Sequence, residues 1–228
     1  MKTRIAALAV STLLASSAFA AQGKLNVTVD GQTSGATVPE ANLLCKPTDD
    51  GKSTGGTNLR PSIHWTGAPK GTKSFAVFMM DPDVPADFSD AGKEGKIIAK
   101  DAKRQDFFHY GVVNIPASVN TLAGGDSSQK PAHGTELVND LGSYVPSPTQ
   151  FGGPCPPWND ARMHHYHFMV LALDDKAPID APAATDCKDP SCKPDTAKNT
   201  FNRLIASKHV LAKGTVMGTY SLNPSLQK

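Results

Sequence analysis

The chain has 228 residues, with 23 Lys and Arg against 21 Asp and Glu, so its formal charge is close to neutral. That length suits one domain of ordinary size with enough chain to bury a core. No dense basic run is present to neutralise the phosphates of a nucleic acid or an anionic membrane, so neither is an expected partner.

The first segment reads as a leader. Lys2 and Arg4 open it, Ile5 to Leu14 is apolar, and Ala18-Phe19-Ala20 places small residues where a signal peptidase reads them. The apolar run is too short to span a bilayer, and no second stretch of spanning length follows. Residues 1–20 are therefore expected to be a signal peptide, residues 21–228 a single domain, and the product periplasmic or secreted without stable membrane insertion. Lys2 and Arg4 leave with the leader, so the mature chain balances basic against acidic residues.

Export governs how the cysteines are read. Cys45, Cys155, Cys187 and Cys192 are an even set, and pairing is the default in an oxidising compartment. Cys187 and Cys192 bracket the turn-like Lys-Asp-Pro-Ser and would close a local loop, leaving Cys45 to staple an early segment to Cys155. The rival reading, a Cys/His metal site, lacks a Cys-x-x-Cys pair. Neither a metal nor a cofactor is expected.

Along the chain the dominant pattern is short β-type runs separated by Gly, Pro, Asn and Asp. Leu25, Val27 and Val29 alternate with polar residues, as in a half-buried strand. Ile63-His64-Trp65 is a strand running into the turn Thr66-Gly67-Ala68-Pro69. Ser74 to Met80 is nearly continuous in apolar residues and predicts a central strand covered on both faces. His109 to Ile115, Tyr166 to Leu173 and Thr215 to Tyr220 predict three more strands. The one good helix candidate spans about Thr196 to Lys208, with Phe201, Leu204 and Ile205 on one face and Asp195 as its cap. Long stretches at 45–60, 86–106, 116–150 and 176–195 join these elements, and loops of that length in a compact domain are usually functional. The fold class is mainly β.

Three segments carry polar groups beside strong strands. Asp81-Pro82-Asp83-Val84-Pro85 holds carboxylates on a backbone stiffened by two prolines. Alone, it reads as an ordinary proline turn with solvated aspartates. Phe107-Phe108-His109-Tyr110 opens a buried strand, where a satisfied core histidine is the plain alternative. Phe151-Gly152-Gly153-Pro154-Cys155-Pro156-Pro157 is a loop able to turn the N–H groups of Gly153 and Cys155 toward an anion. It leads to His164-His165-Tyr166-His167. Strand alternation sends His164 and Tyr166 to one face and His165 and His167 to the other, which argues against one metal site built from adjacent histidines.

Together, in this order, Asp-Pro-Asp-x-Pro, His-x-x-Val-Val-Asn-Ile-Pro and Gly-Pro-Cys-Pro-Pro…His-x-Tyr resemble the phosphatidylethanolamine-binding protein family. The Cys-Pro-Pro form, the leader and the Ala-Leu-Asp after the last motif resemble its bacterial YbhB/YbcL branch of Raf kinase inhibitor-like proteins. The resemblance runs from about Leu25 to Tyr220. It implies an antiparallel β-sandwich with a few short helices and a small anion-accepting cavity at one end. It also implies a pocket of Asp81, Pro85, Phe107, His109, Gly153, Cys155, Pro156, His164 and Tyr166, of the kind that holds phosphate-like groups, including a phospholipid headgroup.

Asp81 beside two imidazoles is expected to favour their charged forms, giving an imidazolium pair that meets the anion with Tyr166. An ammonium on the ligand could turn to Asp81 or to the face of Phe107. Two features depart from the family pattern. His165 stands where an arginine is usual, so Asp83 is expected to lose or weaken its cationic partner. The segment from Ala86 to Asp106 is long, joins two pocket motifs, and is placed to cover the mouth.

The leading functional reading is a non-catalytic binder of a small anionic ligand or phospholipid headgroup, with no residue assigned as catalytic. A hydrolase using Asp81 with His109 or His164 is the second reading, because carboxylate and imidazole also serve acid–base chemistry. An extracytoplasmic inhibitor or interaction module is the third, and a homodimer is left open. No Gly-x-Ser-x-Gly elbow, P-loop or zincin motif is present.

Overall fold

A computed structural model describes residues 23–177 and 195–226. The leader, Cys187 and Cys192 lie outside the described residues. The chain passes through β1 (Gly23–Lys24), β2 (Asn26–Val29), β3 (Ile63–Thr66), β4 (Ser74–Pro85), β5 (Arg104–Pro116), β6 (Thr121–Leu122), β7 (Thr135–Glu136), β8 (His164–Leu173), helix α1 (Ala197–Ala206) and β9 (Val210–Tyr220). A six-stranded sheet has the order β1-β9-β8-β4-β5-β7, and β2, β3 and β6 make a three-stranded sheet. The large sheet is antiparallel except at its edge, where β1 runs parallel to β9. Two further two-stranded ribbons pair Cys45–Pro47 with Ser53–Gly55 and Leu59–Arg60 with Gly125–Asp126.

The two sheets enclose the main core. Val29, Ile63, Trp65 and Leu122 of the small sheet meet Phe75, Val77, Met79, Phe168 and Val170 of the large one. Trp65 and Phe75 pack with ring centroids 5.2 Å apart. The opposite face of the large sheet carries a second core. There Ala76, Phe78, Phe108 and Leu171 lie under Ala197 and Leu204 of α1, and Phe201 meets Phe78 edge-on. Ser74–Met80 is thus covered on both sides, as its unbroken apolar pattern predicts. Each large ring removed from water stabilises the fold by roughly 1.5–3 kcal/mol.

The predicted strands are present, and all but the first are longer than their apolar signals; Leu25 lies in the break between β1 and β2. The Ser74–Met80 strand continues to Pro85, and the strand beginning at His109 starts at Arg104. Backbone pairing does not require apolar side chains, so hydrophobic patterning sees only the apolar part of each strand, even where the polar extension at Asp81 and Asp83 is also buried.

The helix begins at Ala197, and its cap is Thr196, whose Oγ1 accepts the Asn199 N–H at 3.1 Å, rather than Asp195. The reason is a short bridge to Val138. The Val138 N–H donates to Asp195 O and the Ala197 N–H to Val138 O, which holds 195 and 196 extended and forbids an earlier start. Asp195 instead accepts the Thr196 N–H and pairs with Arg203. Gly111 lets the helix start approach β5, since a Cβ there would sit 2.7 Å from the Ala197 Cβ. Of the predicted apolar face, Leu204 is fully buried and Phe201 half-buried, but Ile205 is 44% exposed.

The predicted bridge between Cys45 and Cys155 is formed, with a Cα–Cα distance of 4.7 Å across 110 residues of sequence. Among the described residues no helix is long and apolar enough to cross a membrane.

The helix makes a graded test of this packing. Leu204→Ala should lower unfolding free energy by about 2–5 kcal/mol, whereas Ile205→Ala should stay within about 1 kcal/mol. Urea midpoints at constant slope measure both; similar losses would mean that α1 docks on a different face.

Candidate functional site

Asp81 sits where β4 leaves regular pairing. Its partner on β5 is Phe107, but the next paired residue is Val84 with Gln105, so Pro82 and Asp83 form a bulge. Proline cannot donate to a ladder, and bulges redirect side chains. Asp81 Oδ1 also accepts the Asp83 N–H at 2.8 Å, which tightens the bend. The two aspartates consequently serve different partners. Asp81 Oδ2 meets His164 Nδ1 at 2.6 Å, while Asp83 meets Arg162 Nε at 2.6 Å and His165 Nδ1 at 2.7 Å.

This corrects the expectation that Asp83 loses its cationic partner. Arg162, three residues before His165, supplies the guanidinium, and the His165 N–H adds a third bond at 3.1 Å. Burial raises the Asp83 carboxyl, but His165 and Arg162 outweigh it and hold the group below the usual carboxylate range.

His164 is fully buried between two carboxylates: Asp81 on Nδ1 and Asp160 Oδ2 on Nε2 at 3.2 Å. Asp160 in turn receives Arg104 through both terminal nitrogens, at 2.5 and 3.0 Å, and Arg104 Nη1 also donates to Asp83 O. Burial alone would favour a neutral His164, but its bonds to Asp160 and Asp81 prevail and push its pKa up to about 9. Asp160 behaves in the opposite sense: burial raises it, and His164 and Arg104 bring it below the usual range. The four groups alternate in sign and balance.

His109, on the neighbouring strand, differs. Its Nδ1 lies 3.0 Å from Gly152 O, which can only accept, so Nδ1 carries the proton. Complete burial pushes its pKa below the ordinary histidine value against the pull of Asp81. The expected imidazolium pair is therefore one charged ring, His164, and one neutral ring, His109. In neutral His109, Nε2 keeps its lone pair, and that atom is buried with no hydrogen-bond partner. The Tyr166 hydroxyl is also buried and makes no hydrogen bond of ordinary geometry, though it lies near Asp81; burial and that carboxylate push its pKa far up. Tyr166 packs edge-on to His109 at 5.3 Å and stacks with His164 at 6.4 Å.

These groups line a cavity of about 230 Å³. Of the residues proposed from sequence, Asp81, Phe107, His109, Cys155, Pro156, His164 and Tyr166 surround it. Pro85 does not: it pairs with Arg104 beyond the bulge. Nor does Gly153, whose N–H is taken by Asn58 Oδ1 at 2.8 Å. Glycine is required there because a Cβ would fall 1.8 Å from Asn42 O. The segment 86–106 lines part of the cavity through Phe88, Ala91 and Gly92. Asn159 fastens it, accepting the Gly92 N–H at 2.9 Å and donating to Asp90 O and Lys96 O.

Sequence reading missed Arg104, Asp160, Asn159, Arg162 and the aromatic wall of Tyr144 and Trp158. The spacing of Asp160 and His164 was the available signal, since those two meet locally, but the partners that complete them, Arg104 and Asp81, lie 56 and 83 residues away. No group of three His, Cys, Asp or Glu able to hold a metal ion occurs among the described residues.

The profile of the phosphatidylethanolamine-binding protein family matches residues 15–221. The chain is 36% identical over 187 residues to the protein YbcL of Escherichia coli, covering 79% of this chain and 85% of that one. It is 31% identical over 130 residues to Escherichia coli YbhB, covering 55% of this chain and 66% of that one. The crystal structure of Escherichia coli YbcL, described as a member of the mammalian family, superposes with a TM-score of 0.60 at 27% identity, over 87% of this chain and 99% of that chain. The homologue CT736 from Chlamydia trachomatis shares the fold, with a TM-score of 0.57 at 21% identity over 87% and 98%.

The raised His164 pKa links stability to pH. A histidine more basic in the folded state stabilises it fully below its unfolded value near 6.5, and that contribution is lost as pH rises through about 9. Wild type should therefore lose roughly 3 kcal/mol across that window. His164→Gln should be less stable at pH 6 and flatter above it. Denaturation at a series of pH values measures this; an unchanged slope in the variant would place the titrating group elsewhere.

Proposed function

The chain belongs to the phosphatidylethanolamine-binding protein family, and we propose that it is an exported binding protein whose pocket holds a small phosphoryl or carboxylate group without turning it over. The observation that carries this reading is the pair of buried polar atoms, His109 Nε2 and Tyr166 Oη, left without a hydrogen bond of ordinary geometry beside one cavity. An unsatisfied buried polar group costs about 1–3 kcal/mol, so two at one site favour a ligand that completes them.

The charges specify how. Asp81, His164, Asp160 and Arg104 already balance one another, so the anion is met by neutral groups, one donor and one acceptor, rather than by net positive charge. The Tyr166 hydroxyl donates to one ligand oxygen. His109 Nε2 accepts from a protonated one, as in a phosphoryl monoanion or a carboxylic acid. Asp81, which lines the same cavity, suits the ammonium of a phosphoethanolamine headgroup. His164, with both nitrogens held, acts as a positioning residue.

The wall residues Phe88, Tyr144 and Trp158 offer apolar surface to the rest of the ligand. Export rests on the basic start, the apolar run and Ala18-Phe19-Ala20, and the Cys45–Cys155 bridge fits an oxidising compartment. Residues 21–228 are read as one domain.

Calorimetric titration with phosphoethanolamine, inorganic phosphate and acetate tests the pocket. Wild type should bind the phosphoryl ligands saturably, and Tyr166→Phe, which keeps the ring and removes the hydroxyl, should weaken them about tenfold. Equal affinity in the two proteins, or no saturable binding in wild type, would overturn the reading. Turnover of a phosphate ester that disappears in His109→Leu would assign the site to a hydrolase instead.

A further inference from the structure

The face of β8 turned away from the pocket carries an arrangement that the binding function does not use. His167 lies directly opposite Met217 on β9 and directly opposite Met80 on β4. Residues facing one another across adjacent strands point to the same side of a sheet, with Cβ atoms about 4.5–5.5 Å apart. A thioether sulfur stands two bonds beyond its Cβ on a flexible stem, so both sulfurs can turn to the central imidazole. All three residues are half-buried.

The plain reading is packing, since methionine fills irregular gaps in cores. It accounts for Met80, which rests against the outer core, but not for Met217, which packs against neither core. It leaves the imidazole unexplained as well. His64, His109, His164, His165 and His209 each have a hydrogen-bond partner, and His133 is exposed in a bend. His167 is half-buried, and its ring makes no hydrogen bond among the described residues. Burial and the neighbouring His165 push its pKa down, which keeps the ring neutral. A neutral imidazole offers one ring-nitrogen lone pair to a metal ion while the other nitrogen keeps its proton.

We propose that Met80, His167 and Met217 form a binding site for a soft monovalent metal ion, Cu(I), on the outer face of the large sheet. Two thioethers and an imidazole are soft, neutral donors, the set that favours Cu(I) over cations seeking oxygen ligands. Three protein ligands leave a fourth position open toward solvent, which suits an ion that is held and released. The histidine segment was set aside as a metal site because its members alternate between faces. The alternation stands, but the ligands come from three strands rather than from one segment. The pocket is on the other side of β8, so occupancy of one site need not disturb the other.

The test is an anaerobic titration of the protein, with any thiols first alkylated, using Cu(I) against bicinchoninate as competing chelator. Wild type should take up one ion per chain. His167→Gln and Met217→Leu should each weaken uptake at least tenfold, and Met163→Leu should leave it unchanged. No competitive uptake by wild type, or undiminished uptake in both site variants, overturns the proposal. If a site variant loses its fold by circular dichroism, Ag(I) decides with wild type alone. Added to methyl-labelled protein, it should shift the ε-methyl resonances of Met80 and Met217 while leaving buried Met79 in place; unmoved Met80 and Met217 signals sink the idea.

Discussion

The structure depends on one run of buried charge, Asp81–His164–Asp160–Arg104. Four ionised groups withdrawn from water are tolerable only while each keeps its neighbour, because removing one partner leaves a buried charge uncompensated. That requirement joins β4, β8, the loop before β8 and the first residue of β5. It also uses both nitrogens of His164, which fixes that ring and, through stacking, Tyr166.

With His164 pinned, the open chemistry of the pocket falls to His109 and Tyr166. The surrounding loops are held by polar side chains rather than by extended pairing. Asn58 secures Gly153, Asn159 secures the segment carrying Phe88 and Gly92, and the Cys45–Cys155 bridge ties down the loop that supplies Pro156. These ties are what keep an irregular wall in place beside a small cavity, since a loop without a ladder has few other ways to resist opening.

β8 divides the molecule's chemistry between its two faces. His164 and Tyr166 face inward and are wholly buried, whereas His165 and His167 face outward and are half-buried. The outward pair have different surroundings: His165 completes the shell of Asp83, and His167 stands between two thioethers. A period of two in one strand therefore separates three roles that adjacent positions in the sequence run together.

Much was settled by the sequence alone. The apolar runs at 74–80 and 166–173 located the central strands, because a strand covered on both faces has no polar positions to spare. The order of the Asp, His and Cys-Pro-Pro motifs located seven of the cavity's residues. Only the tertiary structure decided the rest. It turned Asp81 and Asp83 to different partners, since a bulge breaks the alternation that would keep them together. It brought Arg162 to Asp83 and Arg104 to Asp160, across 79 and 56 residues of sequence. It charged one pocket histidine and left the other neutral, because the balance between desolvation and nearby carboxylates depends on distances that no local pattern encodes.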